Sequence, residues 1–154
     1  MHPSAAENDE KIEVLEAGTG HGALTLHLSR AIHGANSQAP KQAPISEVLE
    51  DQSVTEDDSG EQLSKSDNAL AAWKASRKAV IHTIEISPKH SKHAAKIVAG
   101  YRHGLYADNV DFHVGDVSDW IKSEHVRRAS DEPFLTHAFL DLPATHDHLS
   151  SVAS

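Results

Sequence analysis

The chain has 154 residues, 38% of them hydrophobic, carries a formal net charge of −9 and contains no cysteine. This length suits one domain with its own core and excludes a catalytic domain joined to a second large one. The lack of cysteine excludes a disulfide framework, thiolate chemistry and cysteine-ligated zinc. No run approaches the roughly 18 consecutive apolar residues of a membrane span, and the first residues resemble neither a signal nor a transit peptide. We therefore expect an intracellular protein that does not enter membranes, and both mitochondrial and nuclear or cytoplasmic locations stay open.

The negative charge is concentrated in one stretch of the chain. Residues 41–67 hold eight acids against two lysines, a net charge of −6, so the remainder carries only −3. Residues 87–103 contain four bases, three histidines and no acid. One face of the protein is therefore suited to phosphate, as in a nucleic acid. The 13 histidines of the chain show no ligand spacing, and we expect no metal site.

The first structured element is predicted to be a strand over residues 11–17, after a disordered N-terminus of residues 1–10. A glycine-rich turn follows it. Apolar residues then recur at helical spacing from residue 23 until Gly34 ends the pattern. The order strand, glycine turn, helix is typical of a ligand cradle, because the helix directs its unpaired N–H groups toward whatever occupies the turn.

The turn contains three glycines at alternate positions, Gly18, Gly20 and Gly22, and is preceded by Glu16. Glycine permits a positive φ and lets a ligand approach the main chain closely. The spacing of Gly18, Gly20 and Ala23 also satisfies the loose dinucleotide pattern G-x-G-x-x-G/A, which would indicate a nicotinamide or flavin cofactor. The carboxylate of Glu16 favours a cationic ligand instead, since it would repel a pyrophosphate.

A change of composition follows the first helix. Residues 35–67 are rich in serine, glutamine, proline and acids, and such a stretch buries too little apolar surface to offset its ordering entropy. We predict a disordered acidic insertion there, with a folded subdomain as the alternative. A short helix is expected over residues 68–78, before the second strand.

The second strand is predicted over residues 79–86 and carries an acid, Glu85, near its end. An acid at this place in such a fold can accept hydrogen bonds from both ribose hydroxyls. The alternative is that it only interacts with the dipole of the next helix. Ser87 and Pro88 are a natural cap and first residue for a helix that reaches about Gly104. Its inward face is expected to comprise Ala94, Ile97, Val98 and Tyr101.

The third and fourth strands are predicted over residues 110–114 and 134–140, with a helix over 117–129 between them. Asp116 follows the third strand, where a carboxylate could accept a bond from an adenine amine or merely terminate the strand in a turn. Asp141 follows the fourth. Ligands of open parallel sheets bind beyond the carboxyl ends of the strands. We therefore expect an α/β Rossmann-like fold with parallel strands and these acids at one edge.

Four segments together resemble the S-adenosylmethionine-dependent tRNA (adenine-58-N1)-methyltransferase family, catalytic-subunit type. They are EAGTGHGALT at residues 16–25, HTIEIS at 82–87, NVDFHVGDV at 109–117 and FLDLP at 139–143. The similarity covers about residues 12–34 and 79–143. It implies a class I methyltransferase three-layer sandwich, of which this chain has four parallel strands in the order 3-2-1-4. It also implies an enzyme that methylates N1 of adenosine 58 in the T-loop of tRNA.

The resemblance also implies a role for each candidate residue. Gly18, Gly20 and Gly22 would line the methionine and ribose parts of S-adenosyl-L-methionine, beside Glu16. Glu85 would hold the ribose hydroxyls and Asp116 the adenine amine. Asp141 corresponds to the catalytic carboxylate of the family.

The family pattern is incomplete in this chain. Members of the family carry a β-rich domain before the first motif and further strands after the fourth, whereas residues 145–154 read as a polar tail. We expect a partial methyltransferase domain over residues 11–144, from a chain truncated at both ends or completed by other subunits of a homo- or hetero-oligomer. The alternative function is a cofactor-binding but non-catalytic fragment or partner subunit.

Overall fold

A four-stranded parallel sheet forms the centre of the protein. The computed structural model describes residues 10–40 and 59–153, with side chains in the second range from residue 65 onward. The strands are β1 (Ile12–Ala17), β2 (Ala79–Glu85), β3 (Val110–Val114) and β4 (His137–Leu140). They pair in parallel in the order β3-β2-β1-β4. The predicted strand order is thus confirmed, and the sheet with its flanking helices is compatible with a Rossmann-like fold.

Five α-helices accompany the sheet in the described residues. They are α1 (Ala23–Ile32), α2 (Ser59–Ala75), α3 (Pro88–Gly100), α4 (Val117–Arg128) and α5 (Leu149–Val152). The chain divides into two compact units, of which one comprises Met1–Asn36 with Lys78–Ser154 and the other Ser37–Arg77. The sheet and all helices except α2 belong to the first unit.

Side chains alternate between two apolar layers, because successive residues of a strand point to opposite faces of the sheet. On one face, Leu15 and Ile84 pack with Ile121 of α4. On the other, Val14 and Ile81 pack with α3 and α1, through residues that include Val98, Leu28 and Ile32. All seven residues of β2 are buried, as expected for a central strand covered on both faces.

Local capping explains where the helices α3 and α4 begin. The hydroxyl of Ser87 accepts a hydrogen bond from the His90 N–H at 3.3 Å, and Pro88 occupies the first turn. The Asp116 carboxylate accepts from the N–H groups of Ser118 and Asp119. Both predicted helix starts are therefore correct, and each lies at the carboxyl end of a strand.

Among the strands and the helices packed on the sheet, two boundaries differ from the predictions by three residues or more. The strand expected over residues 134–140 begins only at His137, because Leu135 packs against the apolar layer under α4 instead of extending the ladder. The helix expected to reach Gly104 ends at Gly100, after which Arg102 and His103 adopt left-handed φ values of 46° and 56°.

The inward face predicted for α3 was half correct. Ala94 and Val98 are completely buried, whereas Ile97 and Tyr101 are 37% and 40% exposed. The small residue Ser91, one turn before Ala94, is buried in their place. Helix α3 therefore contacts the sheet through a narrower stripe than its apolar residues indicate.

The segment predicted as a disordered insertion is partly helical. A short 3₁₀ helix, His33–Ala35, extends just into it, and α2 begins at Ser59, so the helix expected over 68–78 is longer and starts earlier. Residues 41–58 and 1–9 lie outside the described residues. The last ten residues, expected to be a tail, carry a 3₁₀ helix, Thr145–Asp147, and α5. Val152 of α5 packs against the same apolar layer as α4.

Candidate functional site

The glycine-rich loop joins β1 to α1 and begins against the end of β4. Gly18 has a φ of 90°, and a Cβ at this position would collide with the backbone carbonyl of Asp141. Hydrogen bonds of 2.9 Å from the Gly18 N–H to Ile84 O and from the Asp141 N–H to Ala17 O fix this contact. Glycine is required here because two chain segments cross at the point where the strand order reverses.

The other two glycines differ in their surroundings. Gly22 has a φ of 82° and lies against α3, where an added Cβ would be 3.3 Å from the Cβ of Ala94. Gly20 has a φ of 55°, and an added Cβ would meet no atom of the described residues within 4 Å. A 2.6 Å hydrogen bond between the hydroxyls of Thr19 and Thr83 anchors the loop to β2. The fixed loop thus presents its middle, Gly20, to open space.

Glu16 lies beneath this loop on the face of the sheet that packs against α1. It is 1% exposed, and one carboxylate oxygen accepts a 2.6 Å hydrogen bond from the Thr25 hydroxyl in the first turn of α1. The other oxygen has no hydrogen-bond partner within the described part of the chain. Burial raises the pKa of Glu16, and the Thr25 hydroxyl opposes this increase. A buried acid with an unused acceptor is suited to a cationic or donating ligand.

Glu85 ends β2 directly opposite the loop. One oxygen accepts from the Ser87 N–H at 3.1 Å, and the other accepts from the Gly20 N–H at 3.4 Å. The residue is 9% exposed. Each carboxylate oxygen has two lone-pair positions, so both retain capacity for a further donor such as a hydroxyl. The structure thus brings together Glu85 and Gly20, which were predicted to belong to one site.

Asp116 lies at the end of β3, on the wall of a cleft of about 270 Å³. Its Oδ1 caps α4 through the N–H groups of Ser118 at 2.8 Å and Asp119 at 3.2 Å. The alternative weighed for Asp116 was a strand-end turn; the structure shows a helix cap instead, and this cap occupies only one of the two carboxylate oxygens. The cleft is close to the lower limit of the roughly 300–1,000 Å³ typical of small-molecule sites.

Most of the cleft wall is apolar and was not predicted from the sequence. The lining includes Ala17 and Ile84 at the strand ends, Val117 at the start of α4, and the loop residues Ile86, Leu142 and Pro143. His148 completes the lining from the C-terminal segment. The sequence did contain a signal for part of this lining, because an apolar residue directly follows each strand-end acid. No sequence signal indicated that His148 belongs to the lining, since it lies in a stretch without periodicity.

Asp141 lies where β4 meets the glycine-rich loop, and its carboxylate is exposed. Among the described residues, no hydrogen bond to this side chain is found. Its neighbours Leu142 and Pro143 line the cleft, so the carboxylate lies near the mouth and is free to contact a second ligand. All four strand-end acids predicted from the sequence therefore lie at one edge of the sheet.

A second cluster of titratable groups lies on the opposite face, under α4. The Arg128 guanidinium donates to both oxygens of Glu13, at 2.9 and 2.7 Å, and His82 lies 3.0 Å from the same carboxylate. Burial alone would raise the pKa of Glu13, but the bonds from His82 and Arg128 lower it to about 2. His82 also contacts His113 at 3.3 Å. This cluster is fully paired and ties β1, β2 and α4 together.

Comparison with family models, curated proteins and solved structures gives no match for this chain. In residues 10–40 and 59–153, no group of three or more histidine, aspartate or glutamate side chains is arranged to hold a metal ion. No helix within those ranges has the length and apolar character needed to span a membrane. Functional assignment therefore depends on the chemistry of the strand-end site and on the motifs that resemble a methyltransferase.

Proposed function

We propose that this protein binds S-adenosyl-L-methionine at the carboxyl ends of its strands and transfers the methyl group to N1 of adenosine 58 in tRNA. The observation that carries the proposal is the convergence of Glu16, Glu85 and Asp116 on one glycine loop and one apolar cleft. These acids come from three adjacent strands, and each retains acceptor capacity. A ligand with an amino-acid tail, a ribose and an adenine offers a matching donor to each.

The three parts of the ligand divide among the three strands. The α-amino group and the sulfonium of the methionine part are cationic, which suits the loop above Glu16 with its unpartnered buried oxygen. The ribose hydroxyls lie next to Glu85, opposite the open position of Gly20. The adenine occupies the cleft with its amine toward Asp116. A dinucleotide fits less well, because its pyrophosphate would approach two carboxylates.

The methyl transfer itself requires mainly alignment. The N1 lone pair of the target adenine must point at the sulfonium methyl group in line with the bond that breaks, and holding this geometry supplies much of the rate enhancement. Methylation at N1 makes the base cationic. Asp141, whose carboxylate is exposed, would accept a bond from the N6 amine and stabilise this developing charge. The target base has to leave its stack to reach the site.

One observation favours the non-catalytic alternative, a cofactor-binding partner subunit. Strand β4 pairs only with β1 in the described residues, and three of its four residues are exposed, with Phe139 40% exposed. An exposed strand edge is a template for pairing with another chain. A partner that covers β4 would also contribute groups near Asp141 and complete the substrate pocket.

Calorimetric titration tests the cofactor step. We expect S-adenosylhomocysteine to bind the full chain with micromolar affinity and NAD not to bind detectably. Glu85→Ala should weaken binding of S-adenosylhomocysteine about tenfold or more, since hydrogen bonds to a charged acceptor contribute about 1.5–3 kcal/mol. The exposed Glu132→Ala is the matched control and should bind normally. Binding of NAD in preference to S-adenosylhomocysteine would refute the proposal.

A methyl-transfer assay separates the enzyme from the binding module. Radiolabelled methyl groups should pass from S-adenosyl-L-methionine to tRNA that carries adenosine at position 58, and not to tRNA with guanosine there. Asp141→Ala should abolish transfer and leave the affinity for S-adenosylhomocysteine unchanged. Normal cofactor binding without any transfer by the unmodified chain would favour the partner-subunit alternative.

A further inference from the structure

His148 is the one imidazole that lines the cleft, within the part of the chain that the structure describes. It immediately precedes α5 and is partly buried. Its Nδ1 lies 2.8 Å from the hydroxyl oxygen of Ser118, and its Nε2 has no partner among the described residues. One ring nitrogen is therefore held by the protein, while the other is available to a ligand in the cleft.

Ser118 connects this imidazole to the acid on the same wall. Its backbone N–H donates to Asp116 Oδ1 at 2.8 Å, and its side-chain oxygen bonds His148 Nδ1 at 2.8 Å. The second oxygen of Asp116 makes no hydrogen bond in the described structure. A single residue thus fixes one acceptor, Asp116, and one imidazole, His148, beside the same apolar cleft.

We propose that Asp116 and His148 form a reading pair for the edge of an adenine ring, with His148 as a specificity-determining residue. This inference rests on the proposed cofactor site and assigns a role that the sequence motifs do not. Adenine presents an amine donor beside unprotonated ring nitrogens, which only accept hydrogen bonds. Asp116 accepts from the amine, and His148 Nε2–H donates to one ring nitrogen.

The contact between Ser118 and His148 is compatible with the tautomer that this role needs. A neutral imidazole carries one proton, and the nitrogen that accepts a hydrogen bond is the one without it. In the tautomer that the proposal requires, Ser118 Oγ–H donates to Nδ1 and the imidazole proton resides on Nε2. A 6-oxopurine fits this pair poorly, because its C6 oxygen is an acceptor and would meet the Asp116 carboxylate, which also only accepts.

The test combines ligand analogues with variants. The ligands are S-adenosylhomocysteine and its 1-deaza, 3-deaza and 7-deaza analogues, each of which replaces one ring nitrogen with C–H. For the unmodified chain, calorimetry should show that one analogue binds about five- to tenfold more weakly than the parent ligand, the effect of losing one hydrogen bond. In His148→Ala the same analogue and the parent ligand should bind equally.

Three further variants keep the test independent of folding. His148→Gln retains an N–H near the place of Nε2 and should restore part of the discrimination between the analogue and the parent ligand. His146→Ala, which changes an imidazole that is 80% exposed, should leave the discrimination as it is in the unmodified chain. Ser118→Ala should reduce the discrimination, because the His148 ring loses the contact that holds its Nδ1.

The outcomes separate this inference from the proposed function. The first outcome is that the unmodified chain binds S-adenosylhomocysteine, but each deaza analogue loses as much affinity relative to it in His148→Ala as in the unmodified chain. This outcome refutes only the reading pair. If all four ligands bind the unmodified chain equally, the reading pair is refuted as well. If the unmodified chain binds none of them, both the reading pair and the cofactor site are wrong.

Discussion

Two buried glutamates on the same strand differ sharply in their surroundings. Glu13 and Glu16 are three residues apart on β1 and point to opposite faces of the sheet, and they are 4% and 1% exposed. Hydrogen bonds from His82 and Arg128 outweigh burial and lower the pKa of Glu13 to about 2. Burial raises the pKa of Glu16, which receives hydrogen bonds from Thr25 and Thr83 but, among the described residues, no bond from a cation, and which retains an unpartnered oxygen.

The difference distinguishes a structural acid from a candidate ligand-binding one. A buried carboxylate that is paired with a cation and fully hydrogen-bonded holds the fold together but has no acceptor capacity left for a ligand. A buried carboxylate without a cation costs free energy in the ligand-free protein, and strongly perturbed acids of this kind cluster at functional sites. On this comparison, Glu13 belongs to the framework under α4, and Glu16 belongs to the site at the strand ends.

The largest expected effect is the loss of the charge on Glu13. Glu13→Gln leaves the Arg128 guanidinium, whose side chain is 23% exposed, without its main counter-charge. Breaking such a pair from one side costs about 3–5 kcal/mol. Urea denaturation at pH 7 should show this decrease in the free energy of unfolding.

The matched control is an ion pair at the surface. Asp119→Asn removes the partner of Lys122, a pair whose side chains are 79% and 73% exposed, and should change the free energy of unfolding by less than about 1 kcal/mol. If Glu13→Gln and Asp119→Asn have equal effects, the cluster under α4 does not stabilise the fold in the way described.

The next largest effect is the acid sensitivity that Glu13 confers. Its pKa is about 2 in the folded chain against an ordinary value of 4.5. The stabilisation is therefore complete above pH 4.5 and is lost as the pH falls toward 2, about 3 kcal/mol in total. Partial burial lowers the pKa of His113, which adds a separate loss of stability that begins below its ordinary value of 6.5.

The raised pKa of Glu16 acts with the opposite sign. Protonated Glu16 favours the folded state below pH 4.5, and this contribution disappears as the pH rises through its folded pKa.

The contribution of Glu13 can be isolated by measuring the free energy of unfolding from pH 7 to pH 2. Between pH 4.5 and 2, Glu13→Gln should lose less stability than the unmodified chain. Parallel curves for the two proteins across that interval would contradict the assignment to Glu13.

The sequence was sufficient for the sheet but not for this distinction. The strands and the placement of Glu85, Asp116 and Asp141 followed from apolar runs that end in acids, a local pattern, and the strand order followed from the resemblance to methyltransferases. The environments of Glu13 and Glu16 depend on partners that are distant in sequence, since Arg128 is 115 residues from Glu13. The alternation of side chains along a strand directs these two glutamates to opposite faces, but nothing local indicates which face has the cationic partner.

The same limit applies to the C-terminal segment. His148 reaches the cleft because Val152 packs under α4 and Ser118 holds its ring, and neither contact has a periodic signature. Strand β4 shows the reverse case. Its apolar run predicted a longer strand, but the ladder with β1 starts only at the pair Val14–His137, because Leu135 packs into the apolar layer under α4.

The smallest effect expected here is also the most specific to the site. Glu16→Gln removes a charge that has no cationic partner in the described structure, so the free energy of unfolding at pH 7 should stay unchanged or rise by up to about 1 kcal/mol. The affinity for S-adenosylhomocysteine should nevertheless fall about tenfold, because its α-ammonium group loses a charged acceptor. Denaturation and calorimetry on one preparation measure both quantities.

Glu132→Gln, at an exposed position, is the control and should alter neither the free energy of unfolding nor the affinity. A decrease in stability for Glu16→Gln as large as that for Glu13→Gln would show that both acids belong to the framework, and unchanged affinity would remove Glu16 from the ligand site.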